Sequence, residues 1–287
     1  MGRQKPLRQV YQQASDAVGR ESDRWPLTKQ KKQVSGAMKM VQKLLRQVGA
    51  LISVGALMCC PFGKIYAQDS QAKEIIQAMS AEIASLDRFI VSGDGYVDAR
   101  LDAGQIIEHA MDATMRVIRP GAIRITNRNA ESTKEIYFSE GVFTVYSQKE
   151  NFYAQTDLPS GIDAAANFAV NELDIDTPML DFIFNDVGRH FLEGSQSVEY
   201  LGLSRFRGKV YHHIAIRTAE DDLQIWIAAE GPPLPGKLAI SAKWEGGAPR
   251  SVFFFSWDIE PEFSQKSLRF EPPANAVRIE FDLDSEQ

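Results

Sequence analysis

The chain has 287 residues, of which 44% are hydrophobic and 24% charged, a composition typical of globular proteins that excludes collagen-like, coiled-coil and low-complexity classes. Its formal net charge of −6 combines two unlike parts, because residues 1–67 carry +9 and residues 68–287 carry −15. The second part would repel phosphate backbones, which disfavours nucleic-acid binding.

The N-terminal 37 residues are polar and basic and show no sustained apolar period. This pattern predicts a disordered basic segment or an artefact of the start site. We expect three parts in the chain: this segment at 1–37, a secretory signal peptide at 38–67, and a single domain at 68–287. Both cysteines, Cys59 and Cys60, precede the domain, so disulfides cannot stabilise it and its hydrophobic core must.

The signal peptide is indicated by a basic stretch, an apolar stretch and a polar stretch in that order. Ile65 and Ala67 suit the peptidase, so we predict cleavage after Ala67. A membrane anchor is the competing interpretation, but the apolar run at 48–60 is shorter than the roughly 20 residues that cross a bilayer. The sequence therefore predicts a periplasmic protein without a stable transmembrane anchor.

The domain begins with an amphipathic helix, because apolar residues recur at helical spacing over 69–86. Apolar and polar residues alternate in the segments that follow, and turn residues separate these segments. The alternation lies at 89–97, 115–117, 123–125, 136–138 and 143–145, and then at 198–216, 223–227, 238–244, 252–257 and 277–281. One of the turns is Arg119-Pro120-Gly121, between the second and third of these segments. A period of two predicts half-buried antiparallel strands that follow one another as a meander.

A helical insertion separates the two series of strands. We expect Ser160 to cap a first helix that has Asp163 at its third position. Thr177 is expected to cap a second helix, with Pro178 in its first turn and an apolar face that includes Phe182. Two short helices between strands predict a cover packed on one face of the sheet.

Catalytic motifs are missing from the sequence. The four histidines, His109, His190, His212 and His213, lack the spacing of metal ligands, and the last two point to opposite faces of a strand. The chain has no GxSxG elbow, no GxGxxG loop and no P-loop. We therefore expect no catalytic residue, no metal ligand and no cofactor, and a structural or surface role for each histidine.

Several short segments, in this order along the chain, resemble a known family. They are Ile123-Arg124-Ile125, Glu140-Gly141, Thr177-Pro178-Met179-Leu180-Asp181-Phe182, Gly208 with Tyr211-His212-His213, Gln224-Ile225-Trp226-Ile227, Pro233-Leu234-Pro235 and Phe270-Glu271-Pro272-Pro273. Over residues 70–280 they resemble domain-of-unknown-function family 2092 of predicted periplasmic proteins, in the LolA/LolB-like lipoprotein-carrier superfamily. At Glu140 the family often has aspartate.

The resemblance implies an α+β fold: a strongly curved antiparallel β half-barrel, with an N-terminal helix and a helical insertion closing its concave face. It also implies an apolar cavity that handles acyl chains. Side chains two apart on a strand share a face, which predicts the residues that line such a cavity. They are Ile136, Phe138, Phe143, Val145, Phe182, Ile214, Ile216, Ile225, Ile227, Phe253 and Phe255.

An ordinary packed core would show the same alternation, since alternation specifies burial and not an empty space. Arg124 is our candidate for a basic residue near the cavity mouth, with a solvated sheet edge as the alternative. We expect a non-enzymatic protein that binds a hydrophobic small molecule, a lipid or a lipoprotein acyl chain, because each buried methylene contributes ~0.8 kcal/mol. The alternative is a regulatory module of envelope-stress signalling that resembles RseB and binds an envelope protein.

Export can be tested at the N-terminus of the mature protein. N-terminal sequencing of the protein from a periplasmic extract should begin at Gln68 or within a few residues of it, because the signal elements end at Ala67. Recovery of residues 1–37 on a membrane-bound form would contradict this prediction.

Overall fold

Alternating apolar residues form one large sheet in the computed structural model, which describes residues 63–100, 105–130, 132–173, 175, 179–243 and 250–281. The strands are β1 (Arg88–Arg100), β2 (Ile106–Ile118), β3 (Ala122–Arg128), β4 (Thr133–Ser139), β5 (Val142–Ser147), β6 (Phe152–Asp157), β7 (Ser197–Phe206), β8 (Lys209–Arg217), β9 (Asp221–Ala228), β10 (Pro235–Ala242), β11 (Arg250–Asp258) and β12 (Val277–Ile279). The helices are α1 (Gly63–Ser85), α2 (Ile162–Asn171) and α3 (Val187–Leu192), with 3-10 turns at Leu180–Phe182 and Gln265–Leu268.

The strand order is β12-β6-β5-β4-β3-β2-β1-β11-β10-β9-β8-β7. Two meanders, β1 to β6 and β7 to β11, join where β1 pairs with β11. Every pair is antiparallel except β12 with β6. In the described part of the chain, β12 and β7 lie at opposite edges, so the sheet is not closed. The predicted antiparallel meander is confirmed. The sequence did not predict that its two halves join through β1 and β11.

Helix α1 packs along the sheet with a fully buried stripe made of Ala72, Ile76, Met79 and Ile83. These positions are spaced three or four apart, as one face of a helix requires. The expected helix is therefore present, and it begins at Gly63. The predicted cleavage site after residue 67 falls inside this helix, whereas the basic segment and most of the signal peptide lie outside the described residues.

The sheet has two unlike faces, which we call the helix-side face and the outer face. The helix-side face carries the apolar residues that pack under the helices, such as Ile123 and Ile125, which are 3% and 1% exposed. Arg124 lies between them and therefore points to the outer face, because successive side chains on a strand alternate.

The segment 161–192, which we call the covering segment, differs from the predicted insertion. Gly161 rather than Ser160 caps α2, with a φ of 121° and no side-chain cap. Asp163 instead accepts hydrogen bonds from Asn185. The predicted cap at 177–178 lies outside the described residues. The apolar stretch that follows forms a 3-10 turn and then α3, a helix we did not predict, which Asp186 caps by accepting from the Arg189 N–H at 2.9 Å.

Beyond β11 the chain crosses the outer face before it adds β12 to the edge. Phe270 lies there among three tyrosine rings, Tyr137, Tyr146 and Tyr153, with centroids 5.3, 5.5 and 5.0 Å away. At the end of this segment, Phe281 packs 6.4 Å from Phe143 on the helix-side face. The C-terminal segment thus fastens the β12 edge on both faces, which local alternation cannot reveal.

Gly95 allows β1 and β11 to approach closely. A Cβ at this position would lie 2.3 Å from the carbonyl oxygen of Val252 and 2.6 Å from the Phe253 ring. We expect Gly95→Ala to destabilise the fold by about 1–3 kcal/mol, because a backbone neighbour cannot move aside. Thermal melts should show a melting temperature lower by several degrees. The control is Gly121→Ala, whose Cβ would meet no atom within 4 Å; equal melting of both variants would contradict the prediction.

Candidate functional site

The structure brings the eleven predicted cavity residues together on or against the helix-side face. Ten of them are at most 9% exposed and belong to one continuous core cluster, and Val145 is half-buried against it. β4 and β5 contribute one group and β8, β9 and β11 contribute the other, while Phe182 comes from the covering segment. In this conformation the predicted cavity lining is thus a covered apolar core, and its ligand role stays a prediction.

Phe182 joins the covering segment to the second half of the sheet through aromatic contacts. Its ring centroid lies 5.1 Å from that of Phe255 at an interplanar angle of 84°, and 5.8 Å from those of Trp257 and Phe191. Edge-to-face arrangements of this kind stabilise beyond the area that they bury. The 3-10 turn therefore seals the face with aromatic rings rather than with polar contacts.

Arg119, directly after β2, fastens the covering segment to the sheet. Its Nη1 donates to the Ile183 carbonyl at 3.2 Å and to the Asn185 side-chain oxygen at 3.0 Å, and its Nη2 donates to the Phe184 carbonyl at 3.5 Å. The guanidinium also lies 5.8 Å from the centroid of the Phe89 ring. The sequence predicts this arginine only as part of the turn Arg119-Pro120-Gly121. The sequence feature that could have revealed this role is a charged residue placed next to apolar residues at the end of a strand.

All the hydrogen-bond acceptors of Arg119 are neutral. The nearby carboxylate of Asp163 is turned instead to the backbone and side-chain amides of Asn185, at 2.9 and 3.1 Å. The Nε of Arg119 is buried without a partner in the structure. Burial lowers the pKa of this guanidinium, and the charge of Asp163 opposes that shift. One incompletely paired cation therefore holds the covering segment, a weaker fastening than a carboxylate pair.

Ser80 of α1 supplies a second fastening. Its hydroxyl donates to the Asp186 carboxylate at 3.4 Å and accepts from the Gly188 N–H at 2.9 Å. A Cβ at Gly188 would lie 3.1 Å from the Ser80 Cβ, so α1 and α3 touch where glycine leaves room. The start of α3 is thereby tied to the N-terminal helix.

His190 makes a third contact, within the covering segment. Its Nε2 lies 2.9 Å from an Asp181 carboxylate oxygen, and its ring stacks on Phe184 with centroids 4.4 Å apart. Burial acts to lower the pKa of His190, but Asp181 and Glu193 raise it on balance. A protonated His190 therefore strengthens the link between the 3-10 turn and α3.

Arg124 was expected near a cavity mouth, and the structure corrects this. On the outer face its Nη2 bonds Glu135 at 2.7 Å, and the Tyr137 hydroxyl donates to the other oxygen of the same carboxylate at 2.9 Å. Arg124 therefore stabilises the outer face beneath the C-terminal segment, on the side opposite the predicted cavity.

Several segments that carried the family resemblance meet on the outer face of the second half. His213 stacks on Trp226 with centroids 4.2 Å apart and bonds Gln224 at 3.0 Å. Lys237 places its Nζ 4.2 Å from the Trp226 centroid on the neighbouring strand. Burial lowers the pKa of His213. These contacts give His213 the structural role that the sequence predicts, on the face opposite His212.

The described residues contain no group of three or more His, Cys, Asp or Glu side chains that could hold a metal ion. Within the same part of the chain, no helix is both long and apolar enough to cross a membrane.

Solved structures similar to this chain include three proteins of low sequence identity. An uncharacterized conserved protein from Thermus thermophilus is 10% identical, with a TM-score of 0.44, over 73% of this chain and 99% of that one. The Mycobacterium tuberculosis lipoprotein LppX is 13% identical, with a TM-score of 0.41, over 68% and 98%. A LolA superfamily protein from Nitrosomonas europaea is 11% identical, with a TM-score of 0.36, over 69% and 97%.

No curated protein matches the chain. The sequence model of a family described as "Predicted periplasmic protein (DUF2092)" matches residues 72–282, which span most of α1 and all twelve strands. This range is most of the chain and includes the whole helix-side face of the sheet. The chain therefore belongs to the DUF2092 family of predicted periplasmic proteins.

Proposed function

We propose that this protein binds a hydrophobic ligand in the periplasm, most simply a lipid or the acyl chain of a lipoprotein, and performs no catalysis. The observation that carries the proposal is the continuous apolar helix-side face. It extends across both halves of an open sheet, and the described residues of the segment that covers it make few polar contacts with the rest of the domain. The resemblance to LolA/LolB-like carriers, read from short sequence segments, implies the same use of such a face. We further propose that the sheet curves into a half-barrel with the covering segment over its concave side.

An acyl chain would replace contacts that the covering segment now makes. Phe182 packs on Phe255 and Trp257 through apolar surface alone. A hydrocarbon chain offers the same kind of surface, and each buried methylene contributes ~0.8 kcal/mol. Binding then exchanges one apolar contact for another, and the ligand does not need to pair any buried polar group on this face.

Entry of the ligand requires the covering segment to move. Among its described residues, the polar contacts with the rest of the domain come from Arg119, from Ser80 and from the Ile162 N–H, which donates to the Pro120 carbonyl at 3.2 Å. The segment can therefore open about its ends when these bonds break, while the strands keep their pairing. Such local opening costs less than global unfolding.

Export belongs to the same proposal. The signal peptide at 38–67 would direct the chain to the periplasm, and cleavage after Ala67 would leave the fully buried apolar stripe of α1 in place. The family description as predicted periplasmic supports this location.

The second candidate is a regulatory module of envelope-stress signalling that binds an envelope protein and no lipid. The burial of Phe182, Phe253 and Phe255, at 0%, 3% and 9% exposure, favours this candidate, because a permanently packed core needs no ligand.

A charge on the helix-side face separates the two candidates. In a carrier, Phe255→Asp should weaken binding of a fluorescent fatty acid at least tenfold while the domain stays folded, because the opened face admits water. In a permanent core, the same change buries an unpaired charge, costs several kcal/mol and unfolds the domain. Probe titrations and thermal melts distinguish the outcomes. Phe254→Asp on the outer face is the matched control. Unfolding of Phe255→Asp, with no probe binding by the wild type, would favour the regulatory candidate.

Loss of the Arg119 fastening should loosen the covering segment. In Arg119→Met we expect faster amide hydrogen exchange over 179–192 and probe association faster by up to about tenfold, since hydrogen bonds from a charged donor contribute about 1.5–3 kcal/mol. Arg116→Met is the control. Arg116 of β2 lies directly across from Arg124 of β3 in the strand register, so both side chains are on the outer face, opposite the covering segment. Unchanged exchange in Arg119→Met would show that this arginine does not hold the segment.

A further inference from the structure

A polar pair interrupts the apolar helix-side face at its β7 edge. The Tyr200 hydroxyl lies 2.9 Å from Nδ1 of His212, and the centroids of the two rings are 5.7 Å apart. Tyr200 is on β7, the edge strand, and His212 is on the adjacent β8. Neither residue takes part in the fastening of the covering segment.

Strand register places both residues on the helix-side face. His212 pairs with Ile227, and Tyr200 pairs with Ile214, and both isoleucines are fully buried in the core. Directly paired residues point to the same side of a sheet. The adjacent His213 points the other way and stacks on Trp226.

A β-bulge brings an exposed leucine to the same place. The register shifts between Tyr200 and Gly202, and Gly202 adopts a φ of 99°, which favours glycine. Because Leu201 is the extra residue, Leu203 pairs with His212 and faces the helix side. Bulges re-aim side chains in this way and are frequent beside functional sites.

The pair therefore marks a boundary between buried core and solvent. On the helix-side face, exposure rises from 0% at Ile227 to 64% at Leu203, with His212 half-buried between them. Leu201, at the bulge, is 50% exposed. An apolar edge beside a polar pair matches an amphiphile, whose chain covers leucines while its head group finds a hydrogen bond.

The pair has a hydrogen-bond donor left over in either tautomer. If Tyr200 donates to Nδ1 of His212, the imidazole keeps its proton on Nε2; if Nδ1 donates, the phenol keeps its own. The structure shows no partner for Nε2 among the described residues. Burial raises the pKa of Tyr200, so the phenol stays protonated at neutral pH.

We propose that Tyr200 and His212 form the head-group site of the ligand, donating a hydrogen bond to an acyl oxygen while the chain passes over Leu203 toward Ile227. The ligand is thus an acyl compound with a carboxylate or ester oxygen rather than a plain hydrocarbon. This inference rests on the proposed function.

The test compares three ligands of equal chain length: dodecanoic acid, methyl dodecanoate and dodecane. Each displaces a fluorescent fatty-acid probe from the wild type, Tyr200→Phe, His212→Leu and the control His213→Leu. We expect Tyr200→Phe and His212→Leu to weaken binding of methyl dodecanoate about three- to tenfold, the effect of one neutral hydrogen bond, and binding of dodecanoic acid, whose carboxylate is charged, at least as much. Dodecane binding and the control should be unchanged. Loss with the acid alone identifies a carboxylate, and equal loss with the ester identifies the acyl carbonyl.

Two outcomes would overturn the inference in distinguishable ways. If the wild type binds dodecanoic acid and Tyr200→Phe binds it equally well, the head-group site is wrong and the proposed function stands. If the wild type binds none of the three ligands, the proposed function fails together with the site. Tyr200→Phe keeps the ring that packs on the core, so it decides the question if thermal melts show that His212→Leu is unfolded.

Discussion

An open sheet with one apolar face must have that face covered, and this need governs the rest of the structure. Twelve strands create a larger apolar area than α1 alone can bury, so the covering segment closes what remains. Phe182 shows how this is done, since its ring meets both Phe255 and Trp257. Because the contact is apolar, most of its strength comes from the exclusion of water and does not require one particular partner. In our proposal a hydrocarbon ligand substitutes for it.

The polar contacts on the outer face of the sheet differ in kind from those beside the helix-side face. On the outer face Arg124 is paired with the carboxylate of Glu135 and lies under the C-terminal segment, a stable arrangement between opposite charges. Beside the helix-side face, the hydrogen-bond acceptors of Arg119 are all neutral. Two arginines five positions apart thus make different contacts: Arg124 strengthens the sheet, and Arg119 holds the covering segment, which in our proposal is released when a ligand enters.

Apolar and polar side chains of the helix-side face meet at the edge strand β7. Its bulge at Gly202 turns Leu203 to the helix side, next to His212 and Tyr200. A bulge also disturbs the row of free backbone groups that would otherwise pair with another chain. One extra residue therefore both protects the edge and, in our proposal, builds the boundary at which an acyl head group is recognised.

The sequence by itself determined most of the strands, though not β6, and it determined the N-terminal helix and the face to which Ile136 or Ile225 points, because alternation and helical spacing are local patterns. The short segments of the resemblance also sufficed to indicate the family. Only the tertiary structure decided that β1 pairs with β11, that Arg124 faces away from the predicted cavity, and that Arg119 reaches the covering segment 64 residues later. Those contacts join residues far apart in the chain, and their partners depend on how the two halves of the sheet meet. The periodicity of residues within one segment does not show which strands of the two halves pair with each other.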